Sequence, residues 1–127
     1  MISASESSAS RLSPRSEEAV SALQRLVDGE LEAVIIEAGE FYVQFAKGGP
    51  AVLRVEAVED TNLPTPLSFL QRRGLDYRGF HSPSSERSAG NHYRDMAADP
   101  RATAELAFQV LTAIYDVPAE DICVTTV

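Results

Sequence analysis

Residues 41–58 contain the pattern that most constrains how this chain folds, because two strand-like runs flank a glycine pair. Side chains of a strand alternate between its two faces, so the two runs together divide into an apolar set and a mixed set. The apolar set comprises Phe41, Val43, Phe45, Leu53, Val55 and Ala57. The mixed set comprises Tyr42, Gln44, Arg54 and Glu56. The pattern predicts a β-hairpin that turns at Gly48 and Gly49 and whose apolar face needs a covering layer.

Helix signals on both sides of the hairpin predict that covering layer. Ser13 and Pro14 are typical of a helix start, and apolar residues then recur at three- and four-residue spacing up to a stop at Gly29. Asp99 and Pro100 repeat the same start signal before a second apolar stripe. This stripe comprises Thr103, Leu106, Ala107, Val110, Leu111 and Ile114. We therefore expect one helix before the sheet and one after it.

The remaining segments are shorter and complete the architecture. We assign strands to residues 31–38, 41–46, 51–58 and 122–127, and a short helix that Gly74 closes. Residues 75–99 are the least regular, and within them 77–80 and 92–96 are candidate edge strands. The predicted class is α+β, with an antiparallel sheet made of a three-strand meander plus a C-terminal strand, flanked by an N-terminal and a C-terminal helix.

Length and local composition indicate one folded domain behind a serine-rich tail. The chain has 127 residues, which is enough for one hydrophobic core and too few for two ordinary domains. Residues 1–13 include six serines and little apolar surface to bury, which predicts a disordered tail. Residues 14–127 are then a single α+β domain.

Charge and cysteine content argue against several classes of function. The net charge of −8 disfavours nucleic-acid binding, because that requires a basic surface. Cys123 is the only cysteine, so the chain has no intramolecular disulfide and no multi-cysteine zinc site. No apolar run approaches the roughly 20 residues that span a bilayer, and the N-terminus lacks a signal-peptide pattern. We predict a cytoplasmic protein that binds neither nucleic acid nor membrane.

Side chains suited to catalysis are few. His81 and His92 are eleven positions apart, which is outside the spacings typical of metal sites. The glycine pair at 48–49 lacks the lysine and hydroxyl residue of a phosphate-binding loop. We predict a non-enzymatic protein without cofactor or metal. A site formed by His81, His92 and Asp95 remains the enzymatic alternative.

Basic residues are concentrated in residues 72–101, whereas residues 17–40 are acidic. The basic residues within 72–101 are Arg72, Arg73, Arg78, Arg87, Arg94 and Arg101. Tyr77, Phe80 and Tyr93 lie among them, and arginines with aromatic residues are enriched at binding surfaces. The segment either contacts a partner or balances the acidic half of the same domain.

Several short motifs resemble those of one family of bacterial domains. They are the runs 41–45 and 53–57, Asn62-Leu63-Pro64, Leu70, Gly74, Asn91 followed by Tyr93, and a closing helix 104–117 that ends Tyr115-Asp116-Val117-Pro118. With these motifs the chain resembles the TY-Chap and YbjN-like proteins over roughly residues 15–127. The resemblance implies the fold of type III secretion chaperones, frequent dimerisation, and binding of peptides or partner proteins without a reaction.

Two binding hypotheses follow. The first is a chaperone-like homodimer that holds an extended segment of a protein or peptide partner by strand addition with aromatic anchors. Its expected partner contacts are Tyr42, Gln44, Arg54, Tyr77, Phe80 and Tyr93. The helix at 99–116 is its candidate surface for self-association. The alternative is an acidic immunity- or antitoxin-like protein, in which residues 17–40 occlude a basic partner.

Overall fold

The computed structural model describes residues 14–58, 63, 65–82 and 91–127. Several predictions lie outside these residues: the tail at 1–13 with its Ser13 helix cap, the end of the third strand at 60–62, the proline at 64, and most of the serine-rich loop at 82–90. The described part of the chain forms one sheet with helices against it.

Three α-helices and five strands lie within the described residues. The helices are α1 (Pro14–Val27), α2 (Phe69–Tyr77) and α3 (Pro100–Gln109), which continues as a π-helical turn (Val110–Ile114). The strands are β1 (Val34–Ala38), β2 (Phe41–Gly49), β3 (Val52–Ala57), β4 (His92–Ala97) and β5 (Cys123–Thr126), with a 3-10 turn (Ala119–Asp121) before β5. In this described part of the chain, no helix is both long and apolar enough to cross a membrane.

The five strands form an antiparallel sheet in the order β4-β3-β2-β1-β5. The predicted α+β class is confirmed, with its three-strand meander, its C-terminal strand and its flanking helices. β4 adds a fifth strand beside β3, where residues 92–96 are a candidate from the sequence. The other candidate, 77–80, is wrong: Tyr77 ends α2, and Gly79 adopts φ +85° while the Phe80 N–H bonds the Leu75 carbonyl.

α1, α3 and the π-helical turn pack on one face of the sheet. α1 contacts α3 along its length and also contacts β1, β2 and β5. The sheet side of this core includes Val43, Phe45, Leu53 and Val55, all of which are almost fully buried. The predicted apolar stripe of the last helix is buried at every position. The alternation in the hairpin and the helical periodicity therefore meet in one core, as expected.

The hairpin turns two residues later than the sequence predicts. Gly49 pairs with Val52, so Pro50 and Ala51 are the loop residues. The register shifts at Gly48, where an added Cβ would lie 3.2 Å from Cγ1 of Val52. The glycine pair therefore permits a β-bulge at the end of β2, and the turn itself is formed by the next two residues. Ala51 adopts φ +58°, in the left-handed region that disfavours a Cβ.

Gly74 lies inside α2 and does not end it. An added Cβ would lie 3.2 Å from Cγ1 of Ile114, so the missing side chain lets α2 approach the π-helical turn closely. α2 begins with a capping box, in which the Ser68 side chain accepts from the Gln71 N–H and the Gln71 side chain accepts from the Ser68 N–H. The prediction that Gly74 closes the helix is wrong. The helix continues past Gly74 to Tyr77, and the glycine allows close packing against Ile114.

Tyr115, at the end of the last helix, contacts both strands of the hairpin through a hydrogen bond and a ring contact. Its side chain is buried, and its hydroxyl donates to the carbonyl oxygen of Val58 at 2.7 Å, directly after β3. Its ring stacks on Phe41 at the start of β2, with a centroid distance of 4.9 Å. One side chain thus connects the last helix to both strands of the hairpin.

Candidate functional site

The face of the sheet opposite the helices presents the polar and aromatic side chains of the strands. Strand register places one row across all five strands, and this row contains Tyr93, Glu56, Gln44, Ile35 and Thr125. Asp95, Arg54 and Ala46 form a second row, and Tyr42, Glu37 and Cys123 form a third. These side chains alternate with the buried ones because the side-chain period of a strand is two. We call this surface the open face.

A hydrogen-bond network orders one end of the open face. The Nδ2 atom of Asn91, a buried residue, lies 3.2 Å from both the Tyr42 hydroxyl and Oε1 of Glu56. The Gln44 amide donates to the same Glu56 oxygen at 3.3 Å. The carboxylate therefore accepts from two amides on either side of it. This arrangement orients Tyr42 and Gln44 before any partner binds.

Arg54 occupies the middle of the open face and is held by its neighbours. Its Nε donates to Oδ1 of Asp95 at 2.5 Å, and its Nη2 lies 3.3 Å from Oδ2. Its guanidinium carbon also lies 5.3 Å from the centroid of the Tyr93 ring. The hydrogen bond to Asp95 raises the pKa of Arg54 above its ordinary value, because it stabilises the charged form. The side chain is a fixed, permanently charged group.

A small depression lies beside this arginine. It has a volume of about 90 Å³ and is lined by Ala33, Gln44, Phe45, Ala46, Arg54 and Glu56. The two alanines place little side-chain volume there, while polar groups of Arg54, Gln44 and Glu56 border it. A space of this size is that of one small side chain.

The six residues predicted for partner contact do not form one surface. Tyr42, Gln44, Arg54 and Tyr93 are half-buried and lie together on the open face. The other two lie at or beyond the end of α2. Tyr77 is 90% exposed, whereas Phe80 is 4% exposed and packs in the core. Phe80 therefore has no surface to offer a partner in this conformation.

α2 carries exposed apolar residues that the sequence reasoning missed. Phe69 and Leu70 are 70% and 79% exposed, and Tyr77 lies two turns further along the same helix. Arg73 stands between them, with its guanidinium carbon 5.6 Å from the centroid of the Phe69 ring. A groove of about 470 Å³ continues along this surface, lined by Arg73, Gly74, Asp76, Tyr77 and Arg78. In the sequence, the four-residue spacing of positions 69, 73 and 77 is the pattern that could have indicated one exposed face of a helix. We call Phe69, Leu70, Arg73 and Tyr77 the α2 stripe.

The last helix lacks such a stripe. Most of its apolar residues are buried against α1 and the sheet, while Phe108 is half-buried and Ala113 is exposed. Its other exposed residues are Arg101, Glu105 and Gln109. The expectation that the helix at 99–116 pairs with its own copy is therefore not supported by its surface. The large apolar residues with the most exposed surface in the helices lie on α2.

The residues of the enzymatic alternative do not converge. His92 is buried, and strand alternation directs its side chain to the helix-covered face, whereas Asp95 lies on the open face with Arg54. His81 is exposed, and its ring lies 5.1 Å from the Tyr93 ring. Among the described residues there is no group of three or more potential metal-ligating side chains of His, Cys, Asp or Glu.

The acidic segment is partly neutralised within the chain. Glu17 pairs with Arg101 at 3.2 Å, and Glu30 pairs with Arg25 at 3.3 Å. The hydrogen bond to Glu17 also raises the pKa of Arg101 above its ordinary value. These contacts favour, for part of this segment, the interpretation that acidic and basic residues balance each other inside one domain.

Comparison with known proteins supports the family resemblance seen in the sequence. Residues 11–122 match the TY-Chap3 family, described as T3SS (YopN, CesT) and YbjN peptide-binding chaperone 3. No curated protein and no solved structure matches the chain. The match covers α1, the meander β1–β3, α2, β4 and α3 with its π-helical turn, and it ends just before β5. The chain therefore belongs to the TY-Chap3 family.

Proposed function

We propose that this protein is a non-enzymatic, chaperone-like cytoplasmic module that holds an extended segment of a protein partner against its open face, and that it works as a homodimer. The observation that carries the proposal is the clustering of Tyr42, Gln44, Arg54 and Tyr93 on that face. Membership of a family described as peptide-binding chaperones supports it.

The open face suits an extended segment because its groups are varied and held in place. Tyr93 and Tyr42 supply aromatic surface at low entropic cost. The Gln44 amide and the Arg54 guanidinium supply donors to backbone carbonyls of the segment. The depression between Ala33 and Ala46 takes a small side chain. Because Arg54 and Gln44 are already hydrogen-bonded, little conformational entropy is lost when the segment binds.

Binding is tested with peptides selected from a displayed library against the purified protein. We expect Arg54→Glu to weaken the selected peptides by about tenfold or more, equivalent to ~1.4 kcal/mol. Arg101→Glu is the matched control, because Arg101 also pairs with a carboxylate but lies on a helix away from the open face. A library that yields no binder, or equal losses in both variants, would refute the proposal.

The α2 stripe is the proposed dimer interface. Its three apolar residues expose most of their surface, so two copies together bury on the order of 900 Å² from these residues alone. This approaches the roughly 1,000 Å² that specific interfaces reach. A two-fold axis across antiparallel helices, centred on the stripe, brings Phe69 of one copy towards Tyr77 of the second, so the stripe is complementary to itself in apolar surface.

Light scattering behind a sizing column tests this interface. We expect the protein to have about twice its chain mass of 13.8 kDa, and Leu70→Asp to reduce this to a single chain mass. Gln109→Asp is the matched control, because it introduces the same charge on the exposed side of the last helix. A monomeric unmodified protein, or dissociation by Gln109→Asp alone, would contradict the proposed interface.

A further inference from the structure

The depression on the open face exists because two alanines lie next to each other on neighbouring strands. Val34 of β1 pairs with Phe45 of β2, and continuation of this antiparallel register brings Ala33 beside Ala46. The side chain of Phe45 is buried in the core on the other face of the sheet, so this residue borders the depression with its backbone. The floor is therefore backbone with two methyl groups, and larger side chains form the walls.

The backbone of this floor is already hydrogen-bonded. β2 lies inside the sheet, between β1 and β3, and Phe45 is in register with Val34 on one side and Val55 on the other. A strand with two neighbours uses its N–H and C=O groups in its two ladders. A side chain that enters the depression is therefore recognised by the side chains around it.

Arg54 borders the depression with a charge that is already balanced. Two hydrogen bonds join it to Asp95 on β4, and β4 lies on the side of β3 that faces away from β2 and the depression. The positive charge beside the depression disfavours a second cation there. The wall formed by Arg54 thus argues against a lysine or arginine side chain as the occupant.

Glu56 and Gln44 border the depression with hydrogen-bond acceptors. Oε1 of Glu56 accepts from the Gln44 amide at 3.3 Å and from the Asn91 amide at 3.2 Å. These two bonds use neither Oε2 of the carboxylate nor the amide oxygen of Gln44. Carboxylate and amide oxygens accept hydrogen bonds, so a side chain that pairs with them has to bring a donor.

The volume of the depression limits the size of that donor. Its 90 Å³ is about three times the ~30 Å³ that one water molecule occupies in the liquid. A threonine side chain consists of about three groups of that size, namely a branched carbon, a methyl group and a hydroxyl. Serine is smaller, and asparagine, glutamine and lysine are larger. Threonine therefore combines the required volume with a strong donor.

We propose that the depression is a specificity pocket for one threonine of the extended segment that the open face binds. The threonine hydroxyl donates to the Glu56 carboxylate, and its methyl group contacts Ala33 and Ala46. Valine has the same shape but no donor, so a valine in this pocket displaces water from the acceptors without replacing its hydrogen bonds. The inference rests on the proposed function and specifies one residue of the partner.

The probe is the tightest-binding peptide selected from the displayed library, with threonine, valine or alanine introduced at each position in turn. Binding to the full chain is measured by fluorescence anisotropy. We expect one position at which threonine binds about tenfold or more tighter than valine. A peptide in which no position prefers threonine would overturn the inference. If such a peptide still depends on Arg54, the proposed function stands and only the inference falls; a library without any binder would refute both.

Glu56→Gln tests whether this carboxylate recognises the hydroxyl. The substitution keeps the size of the side chain and removes its charge, and we expect the preference for threonine over valine to fall to within about threefold. Glu37→Gln is the matched control, because it makes the same change in another row of the open face, and we expect the preference to stay within about twofold of its original value. Equal effects of the two substitutions would overturn the assignment to Glu56.

Ala46→Val tests the space itself. Valine suits a strand and fills part of the depression, so we expect the threonine peptide to bind about tenfold more weakly. The alanine peptide needs less room, and we expect its binding to change within about twofold. Equal losses for both peptides would contradict the pocket. The comparison of threonine with valine leaves the protein unchanged and therefore tests the inference whatever the substitutions do to folding.

Discussion

Removing one oxygen atom from Tyr115 tests how the last helix is fastened to the sheet. Tyr115→Phe retains the ring that stacks on Phe41 but deletes the hydroxyl that donates to the buried carbonyl of Val58 at 2.7 Å. The carbonyl then loses a partner in a site that the Tyr115 side chain, only 3% exposed, shields from water. Leaving a buried acceptor unsatisfied costs about 1–3 kcal/mol. We expect the free energy of unfolding to fall by that amount.

Urea denaturation followed by circular dichroism measures this loss. We expect a lower transition midpoint with an unchanged slope, because the surface exposed on unfolding is the same. The melting temperature should fall by several degrees, at about 3–5 °C per kcal/mol for a domain of this size. Tyr77→Phe is the matched control, because it makes the same chemical change at a residue that is 90% exposed in the single chain. It is made and measured in the Leu70→Asp variant, in which the proposed dimer interface is disrupted.

The comparison between the two variants shows whether the hydrogen bond of the buried Tyr115 hydroxyl stabilises the fold. We expect Tyr77→Phe to change the free energy of unfolding by less than about 0.5 kcal/mol. Equal losses in both variants, or no loss in Tyr115→Phe, would refute the argument that the buried hydroxyl holds the helix to the end of β3.

Three further substitutions test local features of the fold, and each is measured by urea denaturation. Asp99→Ala removes the cap that accepts from the Ala102 N–H at 3.2 Å, and we expect a loss of about 0.5–2 kcal/mol; a loss no larger than for an exposed mid-helix site would count against the cap. Ala51→Gly relieves a left-handed backbone at φ +58° and is expected to be neutral or to stabilise by up to about 1 kcal/mol; a clear destabilisation would contradict that conformation. Gly74→Val adds branched volume at a position where even a Cβ would lie 3.2 Å from Cγ1 of Ile114, and we expect a loss of about 1–3 kcal/mol; a neutral result would show that α2 does not approach the π-helical turn so closely.

Sequence patterns predicted the fold well wherever a local period or a terminal signal decides the structure. The hairpin, the paired helix starts at Pro14 and Pro100, and the buried stripe of the last helix all follow from such signals. The glycines were harder, because a glycine permits a turn, a bulge or a close approach equally. Gly48 permits a bulge and Gly74 a helix contact, and only the neighbours Val52 and Ile114 distinguish these roles.

The candidate site was predictable in part for the same reason. Alternation along β2 and β3 places Tyr42, Gln44 and Arg54 on one face whatever the rest of the chain does. Adding Tyr93 to that face required the pairing of β4 with β3, which is a long-range contact. The role of Asn91, which joins Tyr42 to Glu56, was not predictable because its bonds connect residues far apart in the chain.

The sequence by itself determined the order of the elements and which side chains share a face, because both depend on residues within a few positions of one another. Only the tertiary structure decided which of two similar aromatic residues is accessible. Phe69 begins α2 and Phe80 lies just beyond its end, yet Phe69 is 70% exposed and Phe80 is 4% exposed. Burial depends on what packs against a side chain, and the direction in which α2 lies against the last helix is set by contacts such as that between Gly74 and Ile114.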